Sequence, residues 1–407
     1  MSVPHGGRTL AAQMTDDRIQ ALARDFRHHD EGLDVAFDVY RELREACPVG
    51  FSERYGGFWF VTRFDDIHRI EQDPETFAVA PSMLLPPLGN ERPGVPIDID
   101  PPMHGRYRKA MLAAFSPQQI DRLEPMIRRT AVDLLDAFPT QREVDVAAHY
   151  AVPFPMVVFC EIAGLPTDEA EQLEDWIDRI FYVRTHDYDS TRRAAAELTD
   201  YIMSVLDDRR RRPPRDDLFG RLLGVEIDGR RLTDEELADY GFILVVAGLD
   251  TTAWVLRSGL WYLAQHPEGR AKLHEQPELV ATAVEEFLRC LSSVQGMART
   301  VTRDVELGGQ ALRAGDRVLL VFGSGNRDEA RFPDGDRIVI DRQPNPHLAF
   351  GAGIHRCMGS NLARRELRIA LEEFLRRYPD FALAPGSDPP WHGMDPLPLV
   401  LDGNGRS

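Results

Sequence analysis

Two short stretches carry side chains whose types and spacing suit chemistry. In Phe350-Gly351-Ala352-Gly353-Ile354-His355-Arg356-Cys357-Met358-Gly359 a cysteine sits in a glycine-rich turn, just ahead of an amphipathic helical pattern with Leu362, Glu366, Ile369, Leu371 and Phe374. Backbone N–H groups and the positive dipole end of a helix start stabilise a thiolate, so Cys357 has the setting of a ligand or a nucleophile. The second stretch is Val245-Val246-Ala247-Gly248-Leu249-Asp250-Thr251-Thr252. Here an acid and an alcohol stand side by side inside apolar sequence, a pairing that suits proton transfer. Glycine alone weakens a helix interior by about 1 kcal/mol, and a buried carboxylate costs more, so something must compensate.

The second stretch needs a long element to hold it. Thr233-Asp234-Glu235-Glu236 has the pattern of a capping box, and helix-compatible sequence then runs to about Gln265, before His266-Pro267. That is about 30 residues, or roughly 45 Å, long enough to cross a whole domain. Helical spacing dominates from Met103 to about Tyr378. Before it, Tyr55-Gly56-Gly57 with the run Phe58 to Thr62 suits a hairpin, and seven prolines between residues 81 and 102 exclude a long helix there. Val301 to Ile340 reads as short strands, Val318 to Phe322 and Ile338 to Ile340 among them, separated by loops. Glu286 and Arg289, three apart, share one helix face and can pair.

Composition bounds the rest. The 407 residues are 43% hydrophobic, with 48 basic against 66 acidic side chains and a net charge of −18. Such a chain folds to a globule, and its charge argues against a surface generally suited to nucleic acid or anionic membrane. Cys47, Cys160, Cys290 and Cys357 are far apart with no C-x-x-C pair, so neither a disulfide framework nor a zinc site is indicated. The first 30 residues lack an apolar stretch, and the run Phe242 to Leu249 is far shorter than the ~18 residues that cross a bilayer. A soluble cytoplasmic protein is expected. With no repeat or linker, residues 1–407 are read as one domain, residues 1–30 being a flexible N-terminal stretch.

The cysteine stretch resembles the haem-binding signature of the cytochrome P450 monooxygenases. Four further matches stand in that family's order: Glu286-Phe287-Leu288-Arg289, Ala247-Gly248-x-Asp250-Thr251, His104-x-x-x-Arg108 after Asp100-Pro101-Pro102, and Asn326-Arg327-Asp328. Tyr150-Ala151-Val152-Pro153-Phe154-Pro155, Ala163-Gly164-Leu165-Pro166 and Gly248-Leu249-Asp250-Thr251 carry a finer likeness to the soluble bacterial camphor-hydroxylase group. The resemblance implies a mainly α fold with small β-sheets, a long central helix over haem b (iron protoporphyrin IX), and Cys357 as the axial thiolate of the iron. Gly351, Gly353 and Gly359 would let backbone amides approach the sulfur, with Phe350 shielding it. By motif position His104, Arg108, Arg299 and His355 would hold the haem carboxylates, Arg299 lying in a turn that leads into a late strand, and Ala247 would face the haem. Glu286, Arg289 and Arg342 would form a structural network.

The activity implied is insertion of one oxygen atom from O₂ into a C–H or C=C bond, the other leaving as water with two protons relayed by Asp250 and Thr251. The rival for Thr251 is a hydroxyl bonded back to its own helix. Apolar residues (Met83, Leu84, Leu85, Leu88, Ile97, Ile243, Val246, Ala247, Val294, Ala298 and Met394) would bound a pocket for a hydrophobic small molecule, a terpenoid or an aromatic compound, with Arg92 and Gln295 anchoring a polar group. Arg356, Arg364, Arg365 and Arg368 against Glu366 give a local balance of +3. With Lys109 they would dock an acidic iron–sulfur ferredoxin, itself served by an NAD(P)H-dependent reductase. The protein is expected to be monomeric. A peroxygenase of the same fold, or a haem-based sensor, would not need the acid and alcohol pair.

Overall fold

The structure is a computed structural model that describes residues 10–27, 33–387 and 396–402. Helices dominate, with four small sheets among the described residues. The largest sheet takes its strands in the order Val49–Ser52, Phe58–Val61, Arg317–Leu320, Met297–Val301 and Phe77–Ala78. Its first two strands form the expected hairpin through Tyr55-Gly56-Gly57, with Val49 opposite Val61. Arg317–Leu320 then pairs parallel to the hairpin and antiparallel to Met297–Val301, which places Arg299 across from Val318. Arg299 is thus inside a strand, not in the turn before it. Ile338 to Ile340 forms no strand, because its backbone is spent on a side chain: Val339 N–H donates to Glu286 at 2.8 Å. The flexible stretch expected over residues 1–30 contains the helix Leu10–Arg24, anchored through buried Ile19 and Ala23.

The long central segment begins with the capping box the sequence encodes. Glu236 N–H donates to Thr233 Oγ1 at 3.2 Å, and Thr233 N–H returns to Glu236 Oε2 at 2.8 Å. The segment runs as two helices, Asp234–Gly248 and Asp250–Gln265, broken at Leu249. Each half belongs to a different core. Leu237, Phe242, Val245 and Val246 pack with the helices Ala170–Phe181 and Tyr188–Arg211, whereas Val255, Leu256, Leu260 and Leu263 pack with Pro117–Asp136, Val280–Cys290 and Ser360–Arg377. The break therefore falls on the seam between two apolar clusters. Taken whole, Asp234–Gln265 is the one segment among the described residues long and apolar enough to cross a bilayer, and it is mostly buried inside the protein.

Residues 81–102 form the loop that their prolines dictate, and it is tied down by carboxylates. Asp98 accepts from Met83 N–H at 2.6 Å and Gly94 N–H at 2.9 Å, and Asp100 accepts from Val79 and Ala80. Met83 O in turn accepts from Ala298 N–H on the sheet at 2.6 Å.

Candidate active site

Cys357 lies three residues before the helix Ser360–Arg377, and its N–H closes the turn on Phe350 O at 2.9 Å. Two glycines make that turn possible. Gly351 and Gly353 both have φ near +60°, and a Cβ on Gly353 would stand 2.1 Å from the carbonyl oxygen of Glu71. Phe350 is fixed by the Arg364 guanidinium over its ring at 4.5 Å. Cys47, Cys160 and Cys290 are buried or half-buried, and burial pushes their thiols up, Cys160 and Cys290 to about 11. Cys357 differs in its surroundings. Burial pushes it up too, but Gly359 N–H and then Arg108, Arg356 and Arg364 pull toward the thiolate.

Beside this turn the chain gathers basic side chains that it only partly pairs. The rings of His104 and His355 lie 4.1 Å apart, and Nε2 of each is buried with no partner in the protein. Burial, then Arg108, lowers His104 to about 4, only partly opposed by Asp100; burial, His104, Arg299 and Arg108 lower His355 to about 3. Arg299 is buried and gives one hydrogen bond to Ala298 O, while Arg108 reaches Arg356 O. Among the described residues Arg299 has buried Glu71 as its one acidic neighbour within 4 Å, at 3.5 Å, and the orphaned imidazole nitrogens beside it and Arg108 suit an anionic ligand. A cofactor with two carboxylates fits that set.

The other predicted cluster is closed. Arg289 and Glu286 are fully buried, and all five guanidinium N–H groups find acceptors: both Glu286 oxygens at 2.7 and 2.8 Å, and the carbonyls of Asn326, Gly335 and Arg337 at 2.6 to 2.8 Å. Glu286 also accepts from Val339, Arg342 and Asn345. Asn326 extends the network to the cysteine stretch, accepting from Leu348 N–H at 2.6 Å.

At the helix break Thr251 Oγ1 donates to Ala247 O at 3.2 Å, the back-bonded arrangement. The hydroxyl proton is thereby committed to the helix while its lone pairs remain free to accept. Asp250 is held by Tyr182, whose hydroxyl lies 2.9 Å from both carboxylate oxygens. Desolvation of its hydroxyl end and the neighbouring Asp250 keep that phenol protonated, although the side chain as a whole is half exposed. Gly248 is needed because a Cβ there would meet the Phe159 ring at 2.8 Å. Ala247 is exposed although residues 241–246 are all buried, so the helix presents an open face at the break.

Several predicted positions fall elsewhere. Leu85 packs in the core beneath the sheet with Phe58 and Ala298, on the loop that Asp98 tethers. Gln295 donates through Nε2 to Ser292 O at 2.5 Å and keeps Oε1 buried without a partner. Arg92 is spent on Asp239 at 2.9 Å, at an outer groove of about 430 Å³. Leu84, Ile97, Ile243, Val246 and Val294 are buried or half-buried around the loop and helix, and Met394 lies outside the described residues.

The basic patch does not survive folding. Arg364 pairs with Glu285, Arg365 with Asp121 and Glu124, and Arg368 with Glu124 and Glu372. Glu366 is not on that surface either: it is buried, bonds to Thr252 of the central segment, and is pushed up by burial to about 8. Sequence reading also missed Glu71 and Tyr182. Neither stands in a recognisable motif, and only the packing brings them to the site.

Residues 167–400 match the family model for cytochrome P450. The chain is 35% identical over 387 residues to the polyketide biosynthesis cytochrome P450 PksS of Bacillus subtilis, covering 90% of this chain and 95% of that protein. It is 36% identical over 353 residues to the mycinamicin IV hydroxylase/epoxidase of Micromonospora griseorubida, covering 84% and 88%. CYP109E1 from Bacillus megaterium, solved in complex with testosterone, superposes with a TM-score of 0.78 at 31% identity, covering 90% of this chain and 99% of that one. The chain belongs to the cytochrome P450 family. It is a haem-thiolate monooxygenase, an enzyme that uses O₂ and electrons from a redox partner to oxygenate its substrate.

Proposed function

We propose that this chain hydroxylates or epoxidises a hydrophobic small molecule of the terpenoid or aromatic class, with Asp250 and Thr251 handling the protons. The observation that carries the reading is the break at Leu249, which opens the helix beside Ala247 and sets Thr251 with free lone pairs next to a carboxylate held by Tyr182. Haem b bound through Cys357 supplies the redox chemistry that activates O₂. His104, His355, Arg108 and Arg299 would hold its carboxylates, which accounts for the two imidazole nitrogens left without a partner. Thr251 accepts a hydrogen bond in the pocket, and Asp250 exchanges protons with solvent through the half-exposed Tyr182 end. Leu84, Ile97, Ile243, Val246 and Val294 give the pocket its apolar character.

The chain acts in the cytoplasm as a monomer and a single domain, and an acidic iron–sulfur ferredoxin supplies electrons. With three arginines already paired, charge steering falls to exposed Arg356 and Lys109 beside exposed Leu112. Turnover that does not change with ionic strength would remove this docking mode. The test of the proton reading is Thr251→Ala: haem and substrate binding stay intact while reducing equivalents go to hydrogen peroxide. Unchanged product per NAD(P)H consumed would refute it.

A further inference from the structure

Glu71, the last residue of the helix Phe64–Glu71, is a buried carboxylate for which the proposed mechanism has no use. Its Oε1 is 3.5 Å from Arg299 Nη2, and Ala352 N–H of the cysteine turn bonds to the same side chain. Oε2 is buried with no partner. The side chain therefore joins the arginine assigned to the cofactor's carboxylate with the turn that carries Cys357. Arg299 faces it directly. Behind that guanidinium lie Asp100 from the proline-rich loop and Arg317 on the adjacent strand, with His355 of the cysteine turn and, through His355, His104 and Arg108 of the helix Met103–Leu112.

When a cofactor carboxylate also occupies Arg299, two acids share one cation in a low-dielectric site, which raises the affinity of the pair for a proton. One of them is poised to take up a proton when negative charge is added nearby. The cofactor's carboxylate has orphaned histidine and arginine donors waiting for it, whereas Glu71 has a bare oxygen. We propose that Glu71 carries this proton and takes it from solvent as the cofactor accepts one electron, so that buried charge stays balanced when the redox partner delivers. The step adds one electron to the haem and one proton to Glu71, with no other bond changed. The empty protein already leans this way: burial, against Arg299 and the Ala352 N–H, pushes Glu71 up to about 7. Glu71 is a positioning residue, since it acts through Arg299 and the turn.

The inference rests on Arg299 holding a cofactor carboxylate, and the two readings fail separately. The experiment is spectroelectrochemical titration of the holoenzyme between about pH 6 and about pH 8.5, the range around a near-neutral acid. The wild-type midpoint potential should fall as pH rises through this window, because an ionised Glu71 opposes the electron. In Glu71→Gln the slope should vanish and the potential should stay at the low-pH value. A reduced-minus-oxidised infrared spectrum should show a carboxylic C=O band that this variant loses. A flat wild-type curve, or the same slope in both proteins, overturns the proposal. If Glu71→Gln retains no haem, Glu71→Asp decides: a displaced pH midpoint supports Glu71, an unchanged one overturns it. Wild-type haem loading in Arg299→Ala would overturn the Arg299 reading, whatever Glu71→Gln does.

Discussion

Two buried polar clusters flank the cysteine turn, and they are built in opposite ways. Around Arg289 every guanidinium donor has an acceptor, and Glu286 accepts from four different residues. Around His104, His355 and Arg299, two imidazole nitrogens and a Glu71 carboxylate oxygen have none, and among the described residues the carboxylates that act on these groups are Glu71 and Asp100. The first cluster is complete in the protein alone, so it braces the turn. The second leaves two imidazole nitrogens for an anion and a carboxylate oxygen for a proton, so it marks where a ligand belongs. Counting satisfied groups separates the two roles where burial and charge do not.

The largest test of this contrast is Arg289→Ala. It takes one of two cations from buried Glu286 and strands three carbonyls, a loss of about 3–5 kcal/mol, enough to unfold many domains. Thermal unfolding with a midpoint near that of wild type would mean that the cluster is not a brace. Replacing His355 by Phe should do the reverse, sparing the fold and weakening the cofactor. One charge-assisted hydrogen bond is worth about 1.5–3 kcal/mol, so haem should leave roughly 10 to 100 times faster, read by transfer to an acceptor protein. Equal haem loss would take His355 out of the site.

The same contrast gives a pH dependence. His104 and His355 are depressed to about 4 and about 3 from the ordinary 6.5, chiefly by burial. Below pH 6.5 the unfolded chain binds protons that the folded apoprotein refuses, so folding stability is full above about 6.5 and falls as pH drops toward 3. Cofactor carboxylates reverse the environment, so the holoenzyme should resist acid better in denaturant titrations at matched pH. An identical pH profile for the two forms would contradict the assignment. The smallest effect is expected at the helix break, where Asp250 has Tyr182 as one partner. Tyr182→Phe removes that hydroxyl and should lower coupling of NADH to product by a few-fold without changing haem binding. If coupling is unchanged, Tyr182 does not position the acid.

Much of this site was legible before folding, and the reasons are local. A cysteine in a glycine turn, a capping box, a Glu and Arg three apart and an acid beside an alcohol act through neighbours in the chain, so spacing alone exposes them. The hairpin and the proline-rich loop were legible for the same reason. What failed was exposure. Arg364, Arg365 and Arg368 read as a free patch because their partners Glu285, Asp121, Glu124 and Glu372 stand on other helices or a turn further along.

The sequence by itself determined the family, the cysteine ligand turn, the long segment with its flaw at Gly248 to Thr251, and the pairing of Glu286 with Arg289. Periodicity and short spacing carry that information. The tertiary structure alone decided that the flaw falls on the seam between two cores, that Tyr182 holds Asp250, and that Glu71 meets Arg299 across 228 positions of chain. Long-range contact depends on how whole helices and sheets pack, and so does the test that matters most here: which buried polar groups are left without a partner.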